Sequence, residues 1–230
     1  MDLPFEQFPA LSATGICRHI FIQRIPGSDF SHDKAEVLER LDAVHREIRN
    51  ATGFGNWPLF TVEQIHDNKI AIVDRAVASA VLSGADGREF PACDGIITNQ
   101  RSVALGIYVA DCCAVYIVDP KTPAIGLVHS GRKGTELGVV TNAIRQMIER
   151  FGSDPSSMIV QLSPCIRPPY YEVDFSAEIV RQCRALGIQH IHDSGTCTAC
   201  DLRCYYSYRA EKGKTGRMLA VLGLQSTMSS

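Results

Sequence analysis

VADCCAVYIVDPKTPAIGLVHSGRKGTELG occupies residues 109–138 and holds two apolar runs, 113–119 and 124–128, separated by a short turn between two prolines. Such a pattern predicts a β-hairpin buried on both faces. Two adjacent cysteines stand where the first run begins, and a histidine directly follows the second. Charged and reactive side chains are costly at the ends of buried strands unless they bind or catalyse something. The hairpin therefore predicts a sheet and, at one end of it, a functional site.

The composition favours one domain over residues 1–230, since the chain is 45% hydrophobic and 21% charged. A net charge of -2 argues against a general nucleic-acid or membrane-surface binder. The sequence contains no run of 18 apolar residues and no signal-peptide pattern, so we expect a cytoplasmic protein. Nine cysteines are an odd number in a long chain. They favour functional thiols or metal ligands over a disulfide scaffold.

Strand patterns cluster in the middle of the chain and do not alternate strictly with helices. This order predicts an α+β protein with a mixed or mostly antiparallel sheet covered by helices. The strands are predicted at 18–23, 59–65, 69–73, 95–98, 103–109, 113–119, 124–128, 158–162, 188–191 and 218–224. The helices are predicted around 37–48, from an N-cap at Thr135 to a stop at Gly152, and at 176–186 and 201–212. The second and third strands are expected to form a hairpin around residues 66–68.

The register of the central hairpin brings a thiol and an imidazole together. If Asp119 pairs with Ala124, then Ala114 faces His129, and Cys112 shares the face of Ala114 because side chains alternate along a strand. Cys112 and His129 then become diagonal neighbours, roughly 7–8 Å apart at Cα. A slip of one residue would exchange Cys112 for Cys113.

A thiolate and an imidazole at this separation can bind one zinc ion, and three protein ligands leave a fourth position open. His66, in the turn within EQIHDN, is the best candidate for the third ligand. The competing interpretation is structural, because a single buried cysteine usually packs as a small apolar side chain. The three residues together, beside Asp111 and a glycine-flanked loop, favour a functional site.

The loop HSGRKGTELG, residues 129–138, suggests an anion site. Gly131 and Gly134 allow close backbone approach, Arg132 and Lys133 are positive, and a helix starting near Thr135 would present free N–H groups. The spacing is not that of a phosphate-binding P-loop. The alternative is an ordinary solvated turn.

Five segments in order resemble the YfiH/YlmD-type proteins, also called laccase-domain or polyphenol oxidase proteins and associated with purine nucleoside phosphorylase activity. Each segment is short, but five in the same order make a specific signal. The segments are VEQIHDNKI (62–70), DGIITNQRSVALGIYVADCCAVYIVD (94–119), AIGLVHSGRKGT (124–135), LSPCIRPPYYEVD (162–174) and CTACDLRCYYSYRAEKGKTGRM (197–218).

The resemblance implies a metal site and a fold. The family pattern has a histidine in Q-x-H, a cysteine in A-D-C and a histidine in H-[AS]-G, which here fall on His66, Cys112 and His129. It implies a four-layer α/β/β/α sandwich, and zinc-dependent phosphorolysis of adenosine, guanosine or inosine and methylthioadenosine with companion adenosine deamination. The chain departs from the family where H-A-G-W-R-G becomes HSGRKG (129–134), and in a shortened N-terminal segment that keeps Arg24 and Gly27 as plausible equivalents.

For this chemistry the expected partners are a nucleoside and phosphate. Cys112 and His129 are the candidate catalytic residues, with Asp111 moving protons near the metal. Guanidinium forks match phosphate oxygens. The candidate phosphate contacts are Arg24, Arg132, Lys133 and Arg209.

Three alternatives remain open. The first is a metal-free amide hydrolase that acts on cell-wall peptide intermediates, with Cys112 as nucleophile and His129 as base. The second is a copper phenol oxidase, although seven scattered histidines are too few for a multicopper enzyme. The third is a zinc-stabilised binding domain with a closed coordination shell. The cysteines of CTACDLRC (197–204) lack a fourth partner nearby, which favours a structural role.

Overall fold

Two six-stranded sheets pack against each other in the computed structural model, which describes residues 3–27, 33–82 and 88–226. The strands of the first sheet are, in spatial order, Phe5–Glu6 (β1), Cys17–Ile22 (β2), Met218–Leu224 (β12), Ala104–Val109 (β7), Leu59–Val62 (β3) and Arg88–Phe90 (β5). Those of the second are His190–Asp193 (β11), Ile159–Leu162 (β10), Cys113–Asp119 (β8), Ala124–Ser130 (β9), Gly95–Thr98 (β6) and Ile70–Val73 (β4). Both sheets mix parallel and antiparallel pairs.

Helices cover the outer faces of both sheets. The helices are Pro9–Ser12 (α1), Lys34–Arg49 (α2), Arg75–Leu82 (α3), Arg132–Glu136 (α4), Val139–Phe151 (α5) and Phe175–Ala185 (α6). α2 lies on the first sheet, where His45 stacks on Tyr108, and α5 and α6 pack on the second. The predicted four-layer α/β/β/α arrangement, with a mixed and largely antiparallel core, is confirmed.

The central hairpin has the predicted register. Ala114 pairs with His129 and Asp119 with Ala124. Because β8 is buried on both faces, its side chains alternate between two cores. Ala114 and Tyr116 face the first sheet, whereas Cys113 and Val115 face α5 and α6. Cys112, one residue before β8, therefore begins on the face between the sheets, and Cys113 belongs to the outer core.

The predicted hairpin between 59–65 and 69–73 is wrong. β3 lies in the first sheet and pairs in parallel with β7 and β5, while β4 lies in the second sheet beside β6. The connection that contains His66 therefore crosses from one sheet to the other. Alternating apolar residues fix which segments form strands, but each strand finds its partner through packing over a long sequence distance.

Thr135 does not start the helix that ends at Gly152. The chain first forms the short helix α4, within which the Thr135 hydroxyl donates to the Gly131 carbonyl at 2.8 Å. Gly138 then adopts φ 70°, a conformation that suits glycine, and α5 starts after it. Gly152 ends α5 as predicted, with φ 70°. A helix of five residues such as α4 has only a small dipole, so the predicted anion site loses its main support.

The helix predicted at 201–212 is absent, and the chain forms successive turns there. The Asp111 carboxylate accepts hydrogen bonds from the backbone N–H groups of Tyr208 and Arg209, and Glu211 accepts one from Ser207. These contacts take up N–H groups that a helix would direct to its own carbonyls. Tertiary hydrogen bonds thus override the local pattern.

Candidate metal centre

His66, Cys112 and His129 meet at one point in space. Their ligand atoms all lie within 4.8 Å of one another, although the residues come from the β3–β4 connection, the β7–β8 loop and β9. The two imidazole rings approach edge to face, with centroids 4.8 Å apart. No other cluster of three or more potential ligands of this kind occurs among residues 3–27, 33–82 and 88–226. This His–Cys–His group is the geometry that the register and the resemblance predict; its role as a metal site remains a prediction.

Gly131 makes room for the thiol. A Cβ atom at this position would lie 2.4 Å from Sγ of Cys112, far inside van der Waals contact. Any larger residue would therefore displace the sulfur from the two imidazoles. The glycine in the H-S-G segment has this steric function, which its spacing alone does not reveal.

Asp94 orients two of the three candidate ligands, and the sequence analysis missed it. The carboxylate is fully buried and accepts hydrogen bonds from the backbone N–H groups of Ile65, His66 and Asp67 at 2.7–3.2 Å. Its Oδ1 also lies 2.8 Å from Nδ1 of His129. Burial opposes ionisation, but the hydrogen bonds from His129, Asp67 and His66 hold the pKa of Asp94 below its usual range. The sequence signal that could have identified Asp94 is the Asp94–Gly95 pair at the start of a buried strand.

This arrangement leaves Nε2 of His129 free to act as a ligand. A carboxylate on the far ring nitrogen fixes the tautomer and strengthens the imidazole as a metal donor. The same contact would also orient the histidine of a Cys–His pair.

The thiol of Cys112 is prepared to ionise. Burial alone would raise its pKa, but the charges and hydrogen bonds of His129 and His66 lower the pKa of Cys112 to about 6. Burial also works against the imidazolium of His129, yet the Cys112 thiolate and Asp94 raise the pKa of His129 to about 9. A thiolate is both a metal ligand and a nucleophile, so the electrostatics suit either chemistry.

Asp111 lines the cavity beside the His–Cys–His group, and its carboxylate also holds a loop; its role in proton transfer stays a prediction. Its carboxylate accepts hydrogen bonds from the Ser207 hydroxyl at 2.9 Å and from the backbone N–H groups of Tyr208 and Arg209. Burial raises the pKa of Asp111, and these three donors oppose that rise. The contacts make Asp111 a positioning residue for the Tyr208–Arg209 segment.

A cavity of about 680 Å³ opens on the His–Cys–His group. Its size lies within the range of small-molecule sites, which are also lined largely by apolar and aromatic side chains. Besides the His–Cys–His group and Asp111, the lining residues are Gln64, Tyr108, Ala110, Arg132, Ile166, Tyr171, Phe175, Tyr208, Arg209, Lys212 and Arg217. Tyr108, Tyr171 and Tyr208 come from segments that the resemblance includes, and Phe175 directly follows one of them; the sequence analysis gave none of the four a role.

The four candidate phosphate contacts separate into two groups. Arg132 and Arg209 line the cavity and share Glu172 as an ion-pair partner, at 3.6 Å and 2.9 Å. Arg24 and Lys133 lie outside the cavity lining. Arg24 instead pairs with Glu211 and stacks on a tyrosine ring. The predicted basic cluster therefore does not converge as one unit.

The late cysteines stand apart from this site. The backbones of Cys165 and Cys197 form an isolated bridge, and Cys200 ends a single 3₁₀ turn. Neither these residues nor Cys204 belong to the His–Cys–His group.

No helix in the described part of the chain has the length and apolarity needed to cross a bilayer.

Comparison with known proteins connects this geometry to a family. The family model described as multi-copper polyphenol oxidoreductase laccase matches residues 26–181 and 173–225. The chain is 29% identical over 230 residues to the purine nucleoside phosphorylase YlmD of Bacillus subtilis, covering 84% of this chain and 80% of the relative. It is 32% identical over 189 residues to a purine nucleoside phosphorylase of Corynebacterium glutamicum, covering 71% and 73%.

Solved structures show the same fold. YlmD from Geobacillus stearothermophilus superposes with a TM-score of 0.80 at 22% identity, over 98% of this chain and 100% of the other. The YfiH protein of Bacillus licheniformis superposes with a TM-score of 0.75 at 22% identity, over 91% and 93%. With matches along most of its length in sequence and fold, the chain belongs to the YlmD/YfiH-type laccase-domain family, whose family model is described as multi-copper polyphenol oxidoreductase laccase.

Proposed function

We propose that this protein is a zinc-dependent purine nucleoside phosphorylase that splits adenosine, guanosine, inosine and methylthioadenosine with phosphate and also deaminates adenosine. The observation that carries the proposal is the His–Cys–His group at the cavity wall, with ligand atoms within 4.8 Å of one another. Relatives named purine nucleoside phosphorylases support the reaction class.

The donor set fits a single zinc ion. Zinc accepts mixed sulfur and nitrogen ligands, and three protein ligands with an open fourth position are typical of catalytic sites. The lowered pKa of Cys112 favours the thiolate that a metal requires. A multicopper centre needs several such clusters, and the described residues contain one. The family description alone therefore does not favour copper at this site.

The chain's own residues would bind and orient the reactants. In phosphorolysis a phosphate oxygen forms a bond to C1′ as the C1′–N9 bond breaks, and the purine leaves with the bonding electrons. The exposed Tyr208 and the half-buried Tyr171 offer ring surfaces on which a purine can stack, and the buried Phe175 packs edge to face against Tyr171. Arg132 and Arg209 offer positive charge at the same cavity. When bound at the group, zinc would supply a Lewis acid for the departing base or for a water that displaces ammonia from adenosine.

Metal content and product identity test the proposal together. Purified wild-type protein should contain about one zinc per chain, and ribose 1-phosphate should form from inosine only when phosphate is present. Cys112→Ala should lose the metal and the activity. The matched control is Cys113→Ala, which changes the adjacent cysteine in the outer core and should keep both. Full metal content and activity in Cys112→Ala would refute the assignment.

A second candidate, a cysteine hydrolase acting on amides such as cell-wall peptide intermediates, is favoured by one observation. Cys112, His129 and Asp94 form a thiol–imidazole–carboxylate series, with Asp94 on Nδ1 of the histidine. Such an enzyme would survive chelation and form a covalent adduct at Cys112. The zinc enzyme would lose its activity on chelation and recover it when zinc is added.

A further inference from the structure

Arg217 differs from the other arginines that line the cavity. Arg132 pairs with Glu136 and Glu172, and Arg209 pairs with Glu172. Among the residues that the structure describes, no carboxylate lies within ion-pair distance of Arg217. A partly buried cation without a counter-charge is costly unless it receives an anion.

The hydrogen bonds of Arg217 hold one edge of its guanidinium group and leave the other free. Nη1 donates to the carbonyls of Thr215 and Gly216 at 3.1 Å and 2.9 Å. The donors on Nε and Nη2 have no acceptor in the described part of the chain. Because a guanidinium has five N–H donors in a fixed plane, this edge is a preformed fork for two oxygens of an anion.

The strand register brings this fork beside the metal site. Met218 pairs with Val109, so Arg217 comes opposite the segment that leads through Ala110 to Cys112. Burial lowers the pKa of Arg217, while the charges of Tyr208, Asp111 and Cys112 act in the opposite direction. The guanidinium is thus within electrostatic range of the thiol. Lys212, exposed at the same cavity, is a second cation without an ion-pair partner among the described residues.

We propose that Arg217, assisted by Lys212, binds the inorganic phosphate that attacks the nucleoside. The assignment rests on the proposed phosphorolysis, and it replaces Arg24 and Lys133 of the sequence-based prediction with two residues that line the cavity. Arg132 and Arg209, already neutralised in part by Glu172, are left to contact the nucleoside.

The kinetic test separates phosphate from nucleoside. Arg217→Gln should raise KM for phosphate roughly 10- to 100-fold, the loss expected for a charge-assisted hydrogen-bond pair, and change KM for inosine little. Arg217→Lys, which restores the charge without the fork, should recover part of the phosphate affinity. Arg203→Gln, at an exposed arginine outside the cavity, is the control and should behave as wild type.

Direct binding keeps this test independent of turnover. Inorganic phosphate is titrated into wild-type protein, Arg217→Gln and Arg132→Gln by calorimetry, with zinc content and folding verified for each. Loss of binding in Arg217→Gln but not in Arg132→Gln supports the proposal even if the protein releases no base from nucleosides, a result that would refute only the proposed function. Unchanged phosphate binding and unchanged KM for phosphate in Arg217→Gln would overturn the role of Arg217 while leaving phosphorolysis intact.

Discussion

The His–Cys–His group and the ion-paired rim of the cavity are built in opposite ways. The group is fixed by hairpin register, by the buried Asp94 and by the space at Gly131. The rim, formed by Arg132, Glu172 and Arg209, consists of half-exposed side chains joined by surface ion pairs. Buried hydrogen bonds hold a geometry, whereas exposed ion pairs contribute little to stability and rearrange easily. The His–Cys–His group is therefore rigidly held, whereas the ion-paired rim of the cavity can adapt.

Gly131→Ala should have the largest effect, because it acts on the close contact between Gly131 and the Cys112 thiol. The new Cβ would lie 2.4 Å from the Cys112 sulfur and push it away from both imidazoles. We expect zinc affinity and activity to fall by about 100-fold or more, as for a displacement of roughly 1 Å in a catalytic group. The measurements are zinc dissociation constants against a competing chelator, and kcat/KM.

Gly134→Ala is the matched control. A Cβ there meets its nearest neighbour at 3.3 Å, a contact that a small shift of a valine side chain relieves. Equal metal losses in both variants would show that the thiol does not depend on the space at Gly131.

Asp94→Asn should reduce zinc affinity roughly 10- to 100-fold, since outer-sphere partners of ligating histidines contribute that much. The amide retains the shape of the carboxylate but removes the charge that orients His129. Zinc affinity and activity should fall together and recover in part at high zinc concentration.

Asp119→Asn provides the comparison, because Asp119 is a buried carboxylate at the far end of β8 that accepts hydrogen bonds from Lys121, Thr122 and Ser157. It should lower thermal stability without changing zinc affinity. An Asp94→Asn protein with wild-type zinc affinity would contradict the positioning role.

Buried histidines away from the cavity should make the free energy of unfolding depend on pH. His45 is buried, and neither of its ring nitrogens has a hydrogen-bond partner among the described residues. Burial, and to a smaller extent the positive charge of Arg49, lowers the pKa of His45 to about 4. Since the unfolded chain takes up a proton near pH 6.5, stability is lost as the pH falls from 6.5 towards 4, by about 2 kcal/mol at pH 5. Urea unfolding at pH 7 and pH 5 measures this loss, and His45→Phe should reduce it.

His19 should contribute a second loss of the same sign, because burial lowers its pKa to about 4 as well. The unfolding should remain a single transition if residues 1–230 form one domain. A pH dependence that His45→Phe leaves unchanged would argue against a His45 that is neutral in the folded protein.

Glu172→Gln should have the smallest effect. Its carboxylate joins Arg132 and Arg209 at the surface, so its removal should change the free energy of unfolding by less than about 1 kcal/mol. KM for the nucleoside should shift modestly, and more at low salt than at high salt. A collapse of zinc binding in this variant would show that rim and metal group are not separate.

The sequence predicted the parts of the site that depend on local pattern. Alternation along β8 and β9 and the short turn between them set the pairing of Ala114 with His129, and from this followed the closeness of Cys112 to His129. The turn within EQIHDN offered His66 as the third ligand, and the family motifs agreed with that choice and selected Cys112 over Cys113. These features are readable because strand periodicity and short turns act over a few residues.

Other parts depended on contacts between distant segments. Asp94 joins the site only because β6 starts beside the connection that carries His66. The sequence pattern predicts a helix over 201–212, but the Asp111 carboxylate holds the backbone N–H groups of Tyr208 and Arg209 in a non-helical arrangement. No local pattern encodes such hydrogen bonds.

By itself, the sequence determined the α+β class, the central hairpin and the identity of the three candidate ligands. Only the tertiary structure decided that β3 and β4 belong to different sheets, that Arg24 pairs with Glu211 outside the cavity, and that Arg217 enters it. The physical reason is the distance along the sequence over which each kind of interaction acts. Backbone periodicity is fixed by neighbouring residues, whereas the direction and partner of a charged side chain are set by whichever segments packing brings within a few ångströms.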